Sequence, residues 1–551
     1  MLSLVRIITK YSILGLGSLK VLSAIHIYIS LIFNLLAFFM TLDIYQLSKL
    51  VSKQKVLAIG LFKDNKIDSE TKYLFLFENI ISDKITNDKE AKKALNYSED
   101  SKAFLKFKER YTKKILDYIM LSDTTVKGGE FINEEYCRLL QLYSVARIIQ
   151  YKKPSPNAFK LYNYVYHQSK KYEFIDLQLL AALPIRAHHA YQVPDKKKYK
   201  DFKKELDFLQ KKLNKRLELD KFYDEVSHAH VSTKLDLGED FKQDLLQESE
   251  EFIDRIEEDD TYLYTSKVLE LAAYAYTVNE DLEKSIDISK QSVELSKQQD
   301  FVPRYKIFLA YKDIISNYLM LGQYDNAQKY LQEILELSTV RSYNFFFLKG
   351  LEYSLYANIK DYKNLYLITL DVLDSKTISN FQIHFEQWKI REAYANVLLE
   401  SGKIDESIME HAKYKKFRLN KFLNEVEMFS KDKRGINISI LVVELMHFLI
   451  RKEYDKLLNR LDALNQYTYR YLRNDETLRS NCFIKMLLKL PEAEYHPLRT
   501  ERYVKKYEKK LRENPLQISL KSIDVEIIPY EDLWDIIIEI LGKQSKKKKY
   551  A

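Results

Sequence analysis

Between residues 318 and 327 the chain reads Tyr318-x₃-Gly322-x-Tyr324-x₂-Ala327, a spacing that dictates a tight turn between two helices. Tyr318 packs in the first helix and Gly322 relieves crowding at the turn, while Tyr324 covers the hairpin and Ala327 lets the second helix approach closely. Leu331, Ile334 and Leu337 then recur at helical spacing and predict the second helix's apolar face. Looser versions follow the same plan: Tyr276…Leu282-x₂-Ser285, Tyr356…Tyr362-x₂-Leu365, Leu398-x₃-Gly402-x-Ile404-x₂-Ser407 and Phe448…Tyr454-x₂-Leu457. By subtraction the leading positions 276, 318, 356, 398 and 448 lie 42, 38, 42 and 50 residues apart. A chain of this kind is a series of helical hairpins.

Composition agrees. Only 11 Gly and 9 Pro occur in 551 residues, too few to serve the many turns of a β-rich fold, and Leu, Lys, Glu, Ile and Tyr are plentiful. The net charge of +9 is small for this length and argues only weakly for a polyanionic partner. Two cysteines, Cys137 and Cys482, exclude both a disulfide framework and a four-cysteine zinc site within one chain.

Val21 to Met40 is a run of 20 residues without formal charge, about 30 Å long as a helix and enough to span a bilayer. Arg6, Lys10 and Lys20 precede it like a signal n-region, no small-x-small cleavage pattern follows, and Lys49, Lys53 and Lys55 on the far side leave the orientation open. Two readings stand: a membrane anchor, or an extension upstream of a true start at Met40. The second places the protein in the cytoplasm.

From Ser69 to Leu121 the pattern predicts helices over 69–83, 87–95 and 101–121, with Thr86 as N-cap of the second. In the third, Phe104, Phe107, Tyr111, Ile115 and Tyr118 share one side, and Lys102, Lys106, Arg110 and Lys113 share the other. Those four cations suit the phosphate contacts of a helix-turn-helix, and the plainer reading is a solvated lysine face. Further on, Pro154-Ser155-Pro156 must interrupt a helix, and the Lys196-Lys197-Lys198 run opens a basic helix that precedes an acidic block from Glu248 to Asp260. Near the end, Ile518, Leu520, Ile523, Val525 and Ile527 partly alternate, which leaves room for a short strand within 516–528 before a final helix over about 530–541 and a basic tail at Lys543 and 546–549.

Residues 262–470 resemble tetratricopeptide repeats, most specifically at Tyr318, Gly322, Tyr324 and Ala327. The stretch from Ile44-Tyr45-Gln46-Leu47 through Leu74-Phe75-Leu76-Phe77 to Lys113-Lys114-Ile115-Leu116 also resembles the start of a group of uncharacterised bacterial tetratricopeptide-like proteins, which favours initiation at Met40. The resemblance implies an all-α, extended right-handed superhelix of antiparallel helix hairpins, because stacked neighbours bury faces that single pairs leave exposed. It further implies a concave face lined by Lys267, Glu270, Tyr274, Lys312, Ser316, Glu392 and Asn396, receiving a protein or peptide.

No phosphate-binding glycine loop, zinc-protease helix or nucleophile elbow is present, so the chain offers no catalytic residue, and it is read as a non-enzyme without cofactor. His188-His189 and His228-x-His230 lack the carboxylate or thiol spacing of a metal site, and Trp388 and Trp534 read as packing. The expected organisation is a hydrophobic segment at 1–39, an N-terminal helical domain at 40–125, helical hairpins at 126–260, repeats at 261–490, and a C-terminal helix and tail at 491–551. A scaffold that binds a protein or peptide is the leading function. A DNA-binding regulator and a membrane-tethered assembly factor are the alternatives.

Overall fold

A computed structural model describes residues 42–51, 67–122, 131–152, 155–232, 238–258, 260–299, 304–338, 342–426, 436–471, 478–514, 516 and 526–549. These residues are all-α: 22 α-helices with short π and 3₁₀ turns, and no strand among them. Most of the segment expected to hold a strand lies outside the described residues, as does the apolar run Val21 to Met40. The chain divides into two compact units that part between Lys153 and Pro154.

The first unit contains α1 (Ile44–Lys49), α2 (Ile67–Ile81), α3 (Asp88–Ala94), α4 (Lys102–Leu121) and α5 (Phe131–Lys152). Ring stacking builds its core: Tyr73 lies 4.8 Å from Phe107, and Phe104, Tyr111, Ile115 and Tyr118 are buried with them on one side of α4. Inside that core the Tyr111 hydroxyl meets Ser48 Oγ at 2.8 Å, so α4 is tied to α1 by a satisfied polar pair. The α3 N-cap is Asn87 rather than the expected Thr86. Asn87 Oδ1 accepts from Glu90 N–H, and Glu90 reaches back to accept from Thr86 N–H at 2.7 Å, a reciprocal arrangement that sets the cap one residue later.

The second unit runs through α6 (Pro156–Lys171), α7 (Ile175–Ala187), α8 (Lys196–Ser232), α9 (Glu239–Asp254), α10 (Tyr262–Val278), α11 (Leu282–Lys297), α12 (Arg304–Met320), α13 (Tyr324–Leu337), α14 (Tyr343–Asn358), α15 (Tyr362–Leu373), α16 (Gln382–Glu400), α17 (Leu419–Val426), α18 (Ile436–Arg451), α19 (Tyr454–Tyr471), α20 (Leu478–Glu492), α21 (Pro497–Arg512) and α22 (Tyr530–Lys549). Pairing is antiparallel in α10 and α11. Tyr262 at the start of α10 bonds Ser296 at the end of α11 at 2.9 Å, and Thr277 at the end of α10 bonds Ser285 at the start of α11 at 2.8 Å. Alternate helices touch as well: α10 packs on α12, α12 on α14 and α14 on α16, whereas the intervening α11, α13 and α15 meet one another more sparsely.

One turn geometry closes the hairpins. The N–H of Gln323 donates to the carbonyl of Tyr318 at 2.9 Å, with Gly322 between them in the left-handed region at φ 69°. The same bond joins Asp281 to Tyr276, Asp361 to Tyr356, Lys403 to Leu398 and Glu453 to Phe448, so all five leading positions of the sequence motif are carbonyl acceptors at a helix end. Gly402 fills the left-handed position once more, while Glu280, Lys360 and Lys452 occupy it without being glycine.

Two expectations for this unit fail. Leu337 is 64% exposed, because α13 ends there and its apolar face stops at Leu331 and Ile334. The terminal lysines form no separate tail, since α22 continues unbroken from Tyr530 to Lys549. Leu533, Trp534, Ile537 and Leu541 of α22 join Phe346, Trp388, Val442 and Phe483 in one continuous core. On its polar side Asp532 reaches Lys360 at 2.6 Å and Glu539 reaches Lys403 at 2.7 Å, so α22 spans two successive hairpin turns. Arg479 anchors its start, bridging Glu526 and Glu531 at 2.6 Å each and donating to the carbonyl of Leu511.

Candidate functional site

The residues expected on a concave face fall on α10, α12 and α16, and the first two helices bring theirs together. Lys267, Glu270 and Tyr274 follow each other at helical spacing on α10, with Lys312 and Ser316 on the neighbouring α12; all five are half-buried. The face carries charge in pairs. Lys267 Nζ lies 2.5 Å from Asp220 of α8 and over the Tyr223 ring at 4.2 Å. Glu270 accepts from the Tyr223 hydroxyl at 3.0 Å and from Lys306 Nζ of α12 at 2.6 Å, which makes it the link between three helices. Burial and then the adjacent Glu270 carboxylate push the Tyr223 phenol up from its ordinary pKa, so it stays a neutral donor.

Lys312 pairs with its neighbour Asp313 at 2.9 Å. Burial drives the Asp313 carboxyl above the usual range, against the pull of Lys312. The Tyr274 hydroxyl meets His230 Nδ1 at 2.8 Å, and Ser316 Oγ is enclosed without a hydrogen-bond partner. Between α10, α11 and α12 lies a recess lined by Glu270, Lys306, Asp313, Ser289 and Ser292, among others.

On α16 the outcome differs. Glu392 is held by Lys389 at 2.6 Å, and Asn396 is 4% exposed, with Oδ1 accepting from Tyr366 and Nδ2 donating to the Glu392 carbonyl. Asn396 therefore packs α16 against α15 and offers nothing to a ligand. α16 is enclosed nearly all round because α18 and the C-terminal core cover sides that a free repeat would expose.

Sequence reasoning missed Asp220, Tyr223 and Lys306, whose roles arise from contacts between helices, and Asp313, which pairs with its chain neighbour Lys312. One signal was available: Lys267-x-x-Glu270, Lys349-x-x-Glu352 and Lys389-x-x-Glu392 repeat on α10, α14 and α16, and the last two close as ion pairs of 2.6 Å.

In the first unit Lys102, Lys106, Arg110 and Lys113 are all exposed on the side of α4 opposite its buried rings, and Glu109 and Asp117 share that arc. Elsewhere His188 stacks on Phe159 at 3.8 Å and bonds Gln192. Cys137 is exposed and Cys482 buried, and Trp388 and Trp534 are core residues. Among the described residues no three His, Cys, Asp or Glu side chains gather in a geometry to hold a metal ion. No helix among them is long and apolar enough to cross a membrane. No family model, curated protein or solved structure matches the chain.

Proposed function

We propose that the second unit is a tetratricopeptide-like scaffold whose hairpins stack into a right-handed superhelix, with α10, α12 and α14 presenting a face that receives a protein or an extended peptide. The observation that carries this reading is the row of alternate helices: α10, α12, α14 and α16 pack on one another while the outer helices meet sparsely, which is how stacked hairpins generate a curved inner wall. The half-buried Lys267, Glu270, Tyr274, Lys312 and Ser316 supply charge, phenol and hydroxyl to that wall. Their existing ion pairs make it electrically balanced, so a partner gains affinity by exchanging one pair for another rather than by meeting a bare charge.

The test is affinity capture by the full chain with mass spectrometry, comparing Lys312→Glu and Lys349→Glu on the inner row with Lys329→Glu on the exposed side of α13. A protein lost with both inner variants and retained with the outer one is the expected result. Equal recovery in all three removes the inner wall as the binding surface.

The exposed basic arc of α4 favours a second reading, a regulator whose first unit contacts DNA. Duplex binding that weakens steeply with salt and is lost in a Lys106→Glu, Arg110→Glu variant supports it. Absence of binding at low salt ends it.

A further inference from the structure

The lysine run that opens α8 escapes the pairing that neutralises the rest of that helix. Residues 196–216 hold ten cations against three carboxylates. Further along α8 the acidic block answers them: Lys211 and Lys215 reach Glu257, and Lys215 also reaches Asp260 at 2.5 Å. The first nine residues have no such supply. Lys196, Lys197, Lys200, Lys203 and Lys204 are all exposed, and among the described residues no carboxylate lies within ion-pairing distance of any of the five. Asp195 caps the helix, accepting at Oδ1 from the N–H groups of Lys197 and Lys198 at 3.0 Å each, and Glu205 accepts from the Tyr166 hydroxyl at 2.8 Å. Lys200 stands at the centre. Its neighbours three and four positions away on both sides, Lys196, Lys197, Lys203 and Lys204, are lysines, so like charges meet it one turn above and one turn below. Lys196, Lys197 and Lys198 also fill the first turn, where the helix dipole already presents positive charge and no acidic residue offsets it. Directly ahead of them, the π turn His188–Gln192 leaves Tyr191 70% exposed, and Val193 beyond it is 58% exposed.

We propose that this end of α8 docks on an anionic membrane surface, with the lysines meeting lipid headgroups and Tyr191 and Val193 entering the boundary between headgroups and acyl chains. The proposal does not depend on the inner wall. Charge complementarity selects the sign of the partner, because an anionic surface relieves the repulsion gathered around Lys200. The kind of cation selects lipid over nucleic acid. All six cations from Lys196 to Lys204 are lysines, point charges without the planar fork that pairs bidentately with a phosphate, and no arginine occurs before Arg216 in α8. An exposed valine beside them finds burial in a bilayer and none along a sugar–phosphate backbone.

The experiment uses the full-length chain carrying Val193→Cys and Cys137→Ser, with an environment-sensitive dye on residue 193; Cys482 is buried. Contact is then read at the proposed surface, whatever the apolar run Val21 to Met40 does. Vesicles of phosphatidylcholine alone and of phosphatidylcholine mixed equally with phosphatidylglycerol are titrated in. The dye should shift to the blue on the anionic vesicles, at a lipid concentration at least about tenfold below that needed with phosphatidylcholine alone. Lys200→Glu should weaken the anionic binding about tenfold, since it removes one attraction and draws its four neighbours into ion pairs. Tyr191→Ser should weaken it about threefold. Lys329→Glu on the exposed side of α13 makes the same change of charge and should leave binding within about twofold. Lys200→Glu should also raise the thermal midpoint, which separates loss of a docking face from damage to the fold. A dye that stays in water, a shift equal on the two vesicles, or equal losses in Lys200→Glu and Lys329→Glu overturns the proposal. So does duplex DNA that binds more tightly than the anionic vesicles and loses about tenfold with Lys200→Glu, since it assigns the face to nucleic acid.

Discussion

Lys306 on α12 reaches back to Glu270 on α10 at 2.6 Å, with side chains only 9% and 18% exposed, and so joins two of the alternate helices through a pair largely shielded from water. Breaking it strands a charge. Lys306→Met should destabilise the second unit by about 2–3 kcal/mol, whereas the double variant Lys306→Met, Glu270→Leu should recover part of that loss. Urea unfolding of the four species of the cycle measures both.

The turns make a sharper prediction because their cost is purely conformational. A Cβ added at Gly322 meets nothing within 4 Å, yet φ 69° is a region L side chains avoid, so Gly322→Ala should cost about 1 kcal/mol. Glu280 occupies the equivalent position at φ 64°, and Glu280→Gly should stabilise by about 0.5–1 kcal/mol. Opposite shifts of the thermal midpoint check the pair.

Arg479 gathers Glu526 and Glu531 at the start of α22, and Glu526 is 7% exposed. Arg479→Met leaves that carboxylate buried without its cation. A loss of about 3 kcal/mol is expected, and exchange of amide protons in α22 should rise before that in α10. Hydrogen exchange with mass spectrometry resolves the order.

Glu400 gives the molecule an acid-sensitive contact. Burial opposes its charge, but hydrogen bonds from His447 at 3.1 Å and Arg451 at 2.6 Å outweigh that and hold the carboxyl down at about 2. Because the folded pKa is depressed, its contribution is complete above the unfolded carboxylate value near pH 4.5 and is lost as pH falls through about 2. With a side chain 30% exposed, about 2 kcal/mol is at stake. Glu400→Gln should flatten the dependence of unfolding free energy on pH between about 4.5 and 2, measured by denaturant titration at each pH.

Much of the helical plan was legible because it depends on spacing. The basic and oily faces of α4 follow from a 3.6-residue period, and the five leading positions from Tyr276 to Phe448 are the residues whose carbonyls close the turns. In the second unit two further turns of the same kind, at Ser169 and Leu490, escaped notice. Their left-handed positions are Glu173 and Glu494, which look like ordinary surface residues, although Leu490 lies 42 residues after Phe448, in step with the others. Leu337 misled because periodicity does not say where a helix runs out. Asn396 misled because α16 is covered by α18 and the C-terminal core, contacts that no local pattern encodes. For the face formed by α10 and α12, single helices announced Lys267 and Glu270, but Asp220 and Lys306 became partners only through tertiary pairing.

The bridging of two hairpin turns by α22 changes how this molecule can be made. Arrays of independent repeats acquire structure one neighbour at a time as the ribosome delivers them. Here Lys360 and Lys403 wait for Asp532 and Glu539, and Phe346 shares an interior with Leu541, so nearly two hundred residues must emerge before that interior can close. During that interval the nascent chain presents unfinished apolar surface, and its dependence on chaperones should be concentrated between the emergence of α14 and that of α22.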